Sequence, residues 1–247
     1  MGIKKIINRL RFHAKAFVSP SVFEGDGLYT IHNAGFLKEE AFVNAYKAGC
    51  ETMSWGQAPH IEWRLHVILW AAKNALKLDG DFVECGVYKG GFCNAILTGT
   101  AFESTKKKYW LFDSFKFHFY TANTAAEEIA YINKKYKKYI DVSYFDEVKS
   151  RFANKPVEIV EGLVPIALEK FSASKVSFLS IDMNSTEAEI AALDFFWEKM
   201  VLGGIIILDD YAQYAHEKQY QALNDYCTQK GIHILSLPTG QGLIQKI

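Results

Sequence analysis

One stretch constrains this chain more than any other: Asp81-Phe-Val-Glu-Cys-Gly-Val-Tyr-Lys-Gly-Gly91. It reads as a short strand, a turn at Gly86, and a helix opened by Gly90 and Gly91, where backbone without side chains permits close approach. A strand that passes through a glycine turn into a helix is the start of a βαβ unit. In open α/β sheets ligands bind in the crevice beyond the carboxyl ends of the strands.

The rest of the chain repeats the alternation. A mostly apolar helix is expected at about 60–77, ahead of that strand. After it come a helix at 91–101, a strand Tyr109–Asp113, a strand Val157–Val160, and a helix from Gly162 to about Phe171. Next are a strand Val176–Asp182, a helix at 186–200, a strand from Gly203 to Asp209-Asp210-Tyr211, and a helix at 214–230. Ile232–Leu237 and Gly242–Lys246 pair as a hairpin around Pro238–Gln241. This order predicts one mixed, mostly parallel sheet with helices on both faces and an antiparallel C-terminal strand. Residues 124–152 read as a lysine-rich helix following an aromatic loop, Ser114–Tyr120. Upstream lie a basic amphipathic helix at 3–17, a loop at 19–35, a helix at 37–48 and a hinge to Pro59. The division expected is an N-terminal extension, 1–59, and one domain, 60–247.

A chain of 247 residues suits one large α/β domain. Lys plus Arg equals Asp plus Glu at 28 each, so no net field draws nucleic acid. No run reaches the roughly 18 apolar residues of a membrane span, and the charged N-terminus does not read as a signal peptide. A cytoplasmic protein is expected, with weak membrane-surface contact through 3–17 as an open alternative to packing on a subunit. Cys50, Cys85, Cys93 and Cys227 lack C-x-x-C spacing and read as free thiols.

The strand ends carry acids: Glu84, Asp113, Glu161 before Gly162, Asp182, and Asp209-Asp210. Parallel strands deliver all of these to one edge. Clustered anions repel, and a metal or cationic ligand relieves that repulsion. Asp182, Asp209 and Asp210 follow strands expected to be neighbours, and three carboxylates suit a hard divalent ion such as Mg²⁺, with Asn184 able to add a carbonyl oxygen. The glycines run Gly-x-x-x-Gly-Gly and not Gly-x-Gly-x-x-Gly, and Glu84 would repel a pyrophosphate. S-adenosylmethionine carries a sulfonium and an ammonium in place of phosphate and suits an acidic glycine turn. Asp113, 29 residues beyond Glu84 (113 − 84), sits where an acid meets ribose hydroxyls.

From Gly80 onward the chain resembles the macrocin O-methyltransferase (TylF-like) family of class I, metal-dependent methyltransferases. The residues that carry the resemblance are Gly80–Gly91, Phe112-Asp-Ser-Phe115, Ser180-Ile-Asp182 with Ser185-Thr186, and Gly203–Tyr211. It implies a Rossmann-like, seven-stranded methyltransferase fold and methyl transfer to a hydroxyl of a sugar or glycosylated small molecule. On these positions, cofactor contacts fall to Glu84, Gly86, Val87, Tyr88, Gly90, Gly91, Asp113, Ser114 and Gly162. The resemblance also implies a metal held by Asp182, Asp209 and Asp210. Asp182 is the expected proton acceptor, with His118 and His216 as alternatives. Phe115, His118, Tyr211 and Tyr214, with Gln213, are expected near the acceptor. The family's Asp-Gly-Asp is here Asp182-Met-Asn184. Open alternatives are a cofactor-binding protein without catalysis, a methyltransferase on a non-sugar hydroxyl, a nicotinamide oxidoreductase and a membrane-peripheral scaffold. A homo-oligomer is expected.

Overall fold

The computed structural model describes residues 22–52, 60–116, 124, 126–135, 137, 142–214 and 216–247. The basic helix expected at 3–17 and His118 lie outside the described residues.

A hairpin opens the described chain, β1 Phe23–Gly25 and β2 Leu28–Thr30, joined by Asp26-Gly27. Helices α1 Glu40–Cys50 and α2 Glu62–Ala75 lead to β3 Asp81–Cys85. Then come α3 Gly91–Gly99, β4 Tyr109–Asp113, α4 Ala126–Lys135, α5 Phe145–Arg151 and β5 Val157–Glu161. The chain ends with β6 Val176–Ile181, α6 Thr186–Trp197, β7 Met200–Leu208, α7 Glu217–Gln229, β8 Leu235–Ser236 and β9 Gly242–Gln245. The large sheet has seven strands in the order β5-β4-β3-β6-β7-β9-β8. Strands β3 to β7 are parallel, and β9 runs antiparallel to both β7 and β8. This is the fold expected from the alternation.

Three expectations change. The 19–35 segment contains the β1–β2 hairpin, because Asp26 and Gly27 both adopt positive φ, +51° and +73°, as a two-residue hairpin turn requires. Residues 124–152 hold two helices, α4 and α5. The helix expected to reach Phe171 is a short 3₁₀ segment, Ile166–Lys170, entered through Pro165, which has no N–H to give a helix interior.

Strand composition explains the layering. In β7, Ile205 and Ile207 join one core while Ile206 and Leu208 join the other, so the strand is buried on both faces. α1, α2 and α3 cover the first face, with Ile68, Leu69, Ala72 and Ile96 in its core. α6 and α7 cover the second, with Leu193, Phe196 and Leu223. Gly99 lets α3 approach α1 and α2, since a Cβ there would lie 2.8 Å from the Ala45 methyl. The strand order reverses between β3 and β6, and the crevice at that reversal is where the chemistry-bearing strand ends meet.

Candidate active site

The turn after β3 is held by the chain's own backbone. Gly86 has φ +88°, donates its N–H to the Phe112 carbonyl at 2.9 Å, and leaves the Cys85 carbonyl to accept from the Asp182 N–H at 2.8 Å. A Cβ on Gly86 would overlap the Asp182 carbonyl. At Gly90, φ +81°, a Cβ would lie 2.5 Å from the Phe152 ring. Close approach is therefore required at both glycines, but by neighbouring protein atoms.

Asp113, at the end of β4, ties this turn down. Its Oδ2 accepts from the Val87 and Tyr88 amides at 2.6 and 2.7 Å, and its Oδ1 from the Phe115 amide at 2.6 Å. Burial pushes its pKa up, while those amides favour the ionised form. Ser114 turns its hydroxyl to the Lys116 carbonyl at 2.7 Å, and the Gly162 amide donates to the Asp113 carbonyl at 2.9 Å.

Glu84 is placed differently from the sequence expectation. It points from β3 into the core beneath α3, is 2% exposed, and accepts from the Tyr109 hydroxyl at 2.9 Å. Burial pushes its pKa up to about 8, against the hydrogen bonds from Tyr109 and the Cys93 amide. The side chain is enclosed by protein atoms at the end of β3.

The far strand ends form a second cluster. Asp182 follows β6, and Asp209 and Asp210 follow β7, whose Asp209 N–H donates to the Ile181 carbonyl at 2.9 Å. Asp209 Oδ2 accepts from Arg64 Nη1 at 2.7 Å and its Oδ1 from Gln241 Nε2 at 2.8 Å. Asp210 Oδ1 accepts from the same Arg64 nitrogen at 3.1 Å. Arg64 in turn holds Asp26 through Nε at 2.6 Å and Nη2 at 3.3 Å. Burial works against the guanidinium charge, and Asp209, Asp26 and Asp210 more than offset it, so the pKa rises. Arg64, Asp26 and Gln241 were missed from sequence. A signal existed for Arg64: it shares the buried stripe of α2 with Ile68, Ala71 and Ala75, where an arginine needs a partner.

The loop after β6 has its own anchor. Glu189, buried in the first turn of α6, accepts at Oε1 from the Met183 and Asn184 amides, 3.1 and 3.2 Å, and at Oε2 from Gln219 Nε2 at 2.6 Å. Burial pushes its pKa up to about 8. Asn184, at φ +53°, lies 3.4 Å from Asp182 Oδ1 through Nδ2. It therefore faces Asp182 with its amide nitrogen and not with the carbonyl oxygen expected for a metal. Burial first, then Asp210, Asp209 and Glu189, push the Asp182 pKa well above the carboxylate range, with Arg64 opposing.

Asp182, Asp209 and Asp210, the residues expected to share a metal, differ in how far protein partners occupy them. Among the described residues, no three His, Cys, Asp or Glu side chains converge as a metal-holding group. Asp209 has both oxygens committed to Arg64 and Gln241. What fits a hard dication is narrower: Asp182 and Asp210, in a cluster where one guanidinium faces several carboxylates. Mg²⁺ commonly binds one or two carboxylates and completes its shell with water and substrate.

Of the described residues expected around the acceptor, Phe115 and Tyr211 are buried and Tyr214 is exposed. Phe115 is 1% exposed and packs on Phe145 at 5.5 Å between ring centres. Tyr211 is 3% exposed, its hydroxyl donating to Asn224 at 2.9 Å and its ring beside Tyr220. Both therefore belong to the hydrophobic core. Tyr214 is 92% exposed on the loop before α7, and His216 Nδ1 lies 3.1 Å from Gln219 Oε1. A surface depression lined by Leu78, Asp79, Asp81, Lys106, Lys107 and Lys175 sits at the opposite, N-terminal edge of the sheet, away from every strand-end acid. The four cysteines are unpaired, and no helix among the described residues is long and apolar enough to cross a membrane.

Known proteins share this architecture. The O-methyltransferase NovP superposes with a TM-score of 0.64 at 21% identity, over 74% of this chain and 79% of its own. CalS11, a calicheamicin methyltransferase, gives 0.55 at 14% identity, over 87% and 94%. No curated protein sequence matches the chain significantly. At these identities the structures establish the fold, which is that of a methyltransferase. The family model for macrocin-O-methyltransferase (TylF) matches residues 64–235, from the arginine that grips the aspartates to the first residue of β8. With its glycine turn and strand-end acids inside that match, this chain belongs to the macrocin-O-methyltransferase (TylF) family of S-adenosylmethionine-dependent O-methyltransferases.

Proposed function

We propose that the protein methylates a hydroxyl of a sugar or glycosylated small molecule, using S-adenosylmethionine and a hard divalent cation, Mg²⁺. The observation that carries this reading is the contact between Gly86 and Asp182, which joins the turn after β3 to the acids after β6 and β7 in one crevice. The family membership supports the reaction class. CalS11, described as a TDP-rhamnose 3′-O-methyltransferase, supports a sugar acceptor.

S-adenosylmethionine supplies an electrophilic methyl group and two positive charges, which suit an edge where carboxylates outnumber cations. Asp113 is suited to the ribose. A carboxylate offers about four acceptor positions, and three are filled by amides. The Ser114 hydroxyl stands 3.5 Å from Oδ1, toward the fourth, so a single ribose hydroxyl would share that position with it. Gly86, Val87, Tyr88, Gly90 and Gly91 would hold the adenosine end, with Ser114 and Gly162 beside it.

Asp182 and Asp210 are the residues that would hold Mg²⁺, whose contribution there is to lower the acceptor hydroxyl's pKa. Asp182 takes the hydroxyl proton as the acceptor oxygen attacks the methyl carbon, leaving a methyl ether and S-adenosylhomocysteine. Glu189 holds the Asp182 loop in place through the Met183 and Asn184 amides. The test is transfer from labelled S-adenosylmethionine to a panel of nucleotide sugars and glycosides, read by mass spectrometry. A mass gain of one methylene per acceptor supports the reading; cofactor binding without product on any acceptor favours a non-catalytic binding protein.

A further inference from the structure

We infer that the N-terminal hairpin completes the catalytic edge, with Asp26 and Arg64 acting as positioning residues for Asp209 and Asp210. This rests on the reading of that edge as the site of methyl transfer. The hairpin residues 22–30 lie outside the family-matched segment, which begins at Arg64.

The geometry is a fork gripped on one side so that it can grip on the other. Arg64 meets Asp26 with two parallel bonds, Nε to Oδ2 at 2.6 Å and Nη2 to Oδ1 at 3.3 Å. A bidentate pair fixes the plane of a guanidinium as well as its position. With that plane fixed, Nη1 reaches Asp209 Oδ2 at 2.7 Å, Asp210 Oδ1 at 3.1 Å and the Asp209 carbonyl at 3.5 Å. Arg64 is 8% exposed, so water competes little for these bonds. The hairpin is seated firmly enough to serve: Phe23 is buried, and Gly25 lies so close to the His60 carbonyl that a Cβ would be 2.9 Å from it.

Two consequences separate positioning from a merely structural clamp. Loss of Asp26 frees the guanidinium plane without removing the charge, so turnover suffers while S-adenosylmethionine binding at the β3 turn does not. Lysine at 64 keeps the charge but cannot hold Asp26 and both aspartates at once.

The test compares Asp26→Asn, Arg64→Lys and the double variant in the full chain. Calorimetry gives the S-adenosylmethionine Kd, steady-state kinetics give kcat and the acceptor KM, and urea unfolding gives stability. Expected are a roughly tenfold loss of kcat for Asp26→Asn, ten- to a hundredfold for Arg64→Lys, and little further loss in the double variant. The cofactor Kd should stay within about twofold. Unchanged kcat in Asp26→Asn, or losses that multiply in the double variant, would overturn the inference. If the unaltered protein transfers no methyl group, the functional reading fails separately. The linkage is then judged by unfolding: coupling between the two substitutions of roughly tenfold in the unfolding constant sustains it, and additivity removes it.

Discussion

The carbonyl of Asp182 occupies the space where a side chain on Gly86 would begin, so the donor turn and the acid that follows β6 are packed as one unit. The contact is reinforced by the Asp182 amide donating to the Cys85 carbonyl at 2.8 Å. Gly86→Ala must push the β6 loop away and also adopt φ +88°, which an alanine resists. Its expected cost is about 3 kcal/mol in urea unfolding, near the upper end for single substitutions. S-adenosylmethionine binding should fall with it, and a variant with unchanged stability would show that the loop yields freely.

Glu84 makes stability depend on pH. Its folded pKa of about 8 lies above the ordinary glutamate value of 4.5, so the native state binds a proton that the unfolded chain releases. That contribution is fully present below the unfolded value and is lost as pH rises through about 8. Glu189 is shifted the same way and adds to the slope. Urea unfolding from pH 5 to pH 8.5 should therefore show falling stability, with Glu84 contributing at most ~1.4 kcal/mol per pH unit. Glu84→Gln should flatten the part due to Glu84 while keeping the Tyr109 hydroxyl paired. An identical slope in the variant counts against the assignment.

Asp113 joins turn and cofactor. Asp113→Asn keeps the shape but replaces one oxygen with a donor that faces main-chain amides. The expected loss of S-adenosylmethionine affinity is ten- to a hundredfold, the equivalent of about 1.5–3 kcal/mol for a charge-assisted hydrogen bond. Calorimetry without acceptor measures it, and an unchanged Kd would exclude Asp113 from the cofactor site.

Asp182 and Asp210 carry the acceptor half. Asp182→Asn should lower kcat by roughly 10² to 10⁴ with little change in cofactor Kd, as expected for loss of a proton acceptor. Chelator should abolish transfer and Mg²⁺ should restore it, whereas Asp210→Ala should raise the Mg²⁺ concentration needed for half-maximal rate about tenfold or more. Full activity in chelator would remove the cation from the mechanism.

The parallel sheet and its acidic edge were legible in the sequence because both depend on local pattern. Apolar strands alternating with helices force a common strand direction, and a common direction sends Asp113, Asp182, Asp209 and Asp210 to one end. The C-terminal hairpin was readable for the same reason, from turn residues between two apolar runs. The Asp26-Gly27 turn carried a hairpin signal too, but three-residue strands have too little periodicity to stand out from a loop. Partners far apart in sequence were decided only by packing. Arg64 meets Asp209 across 145 positions and Asp26 across 38, and no local pattern encodes such distances. Burial of Glu84, Phe115 and Tyr211 was likewise settled by which helices cover which face. Local pattern directs where a strand ends, whereas the charges that meet there depend on how the whole chain closes around it.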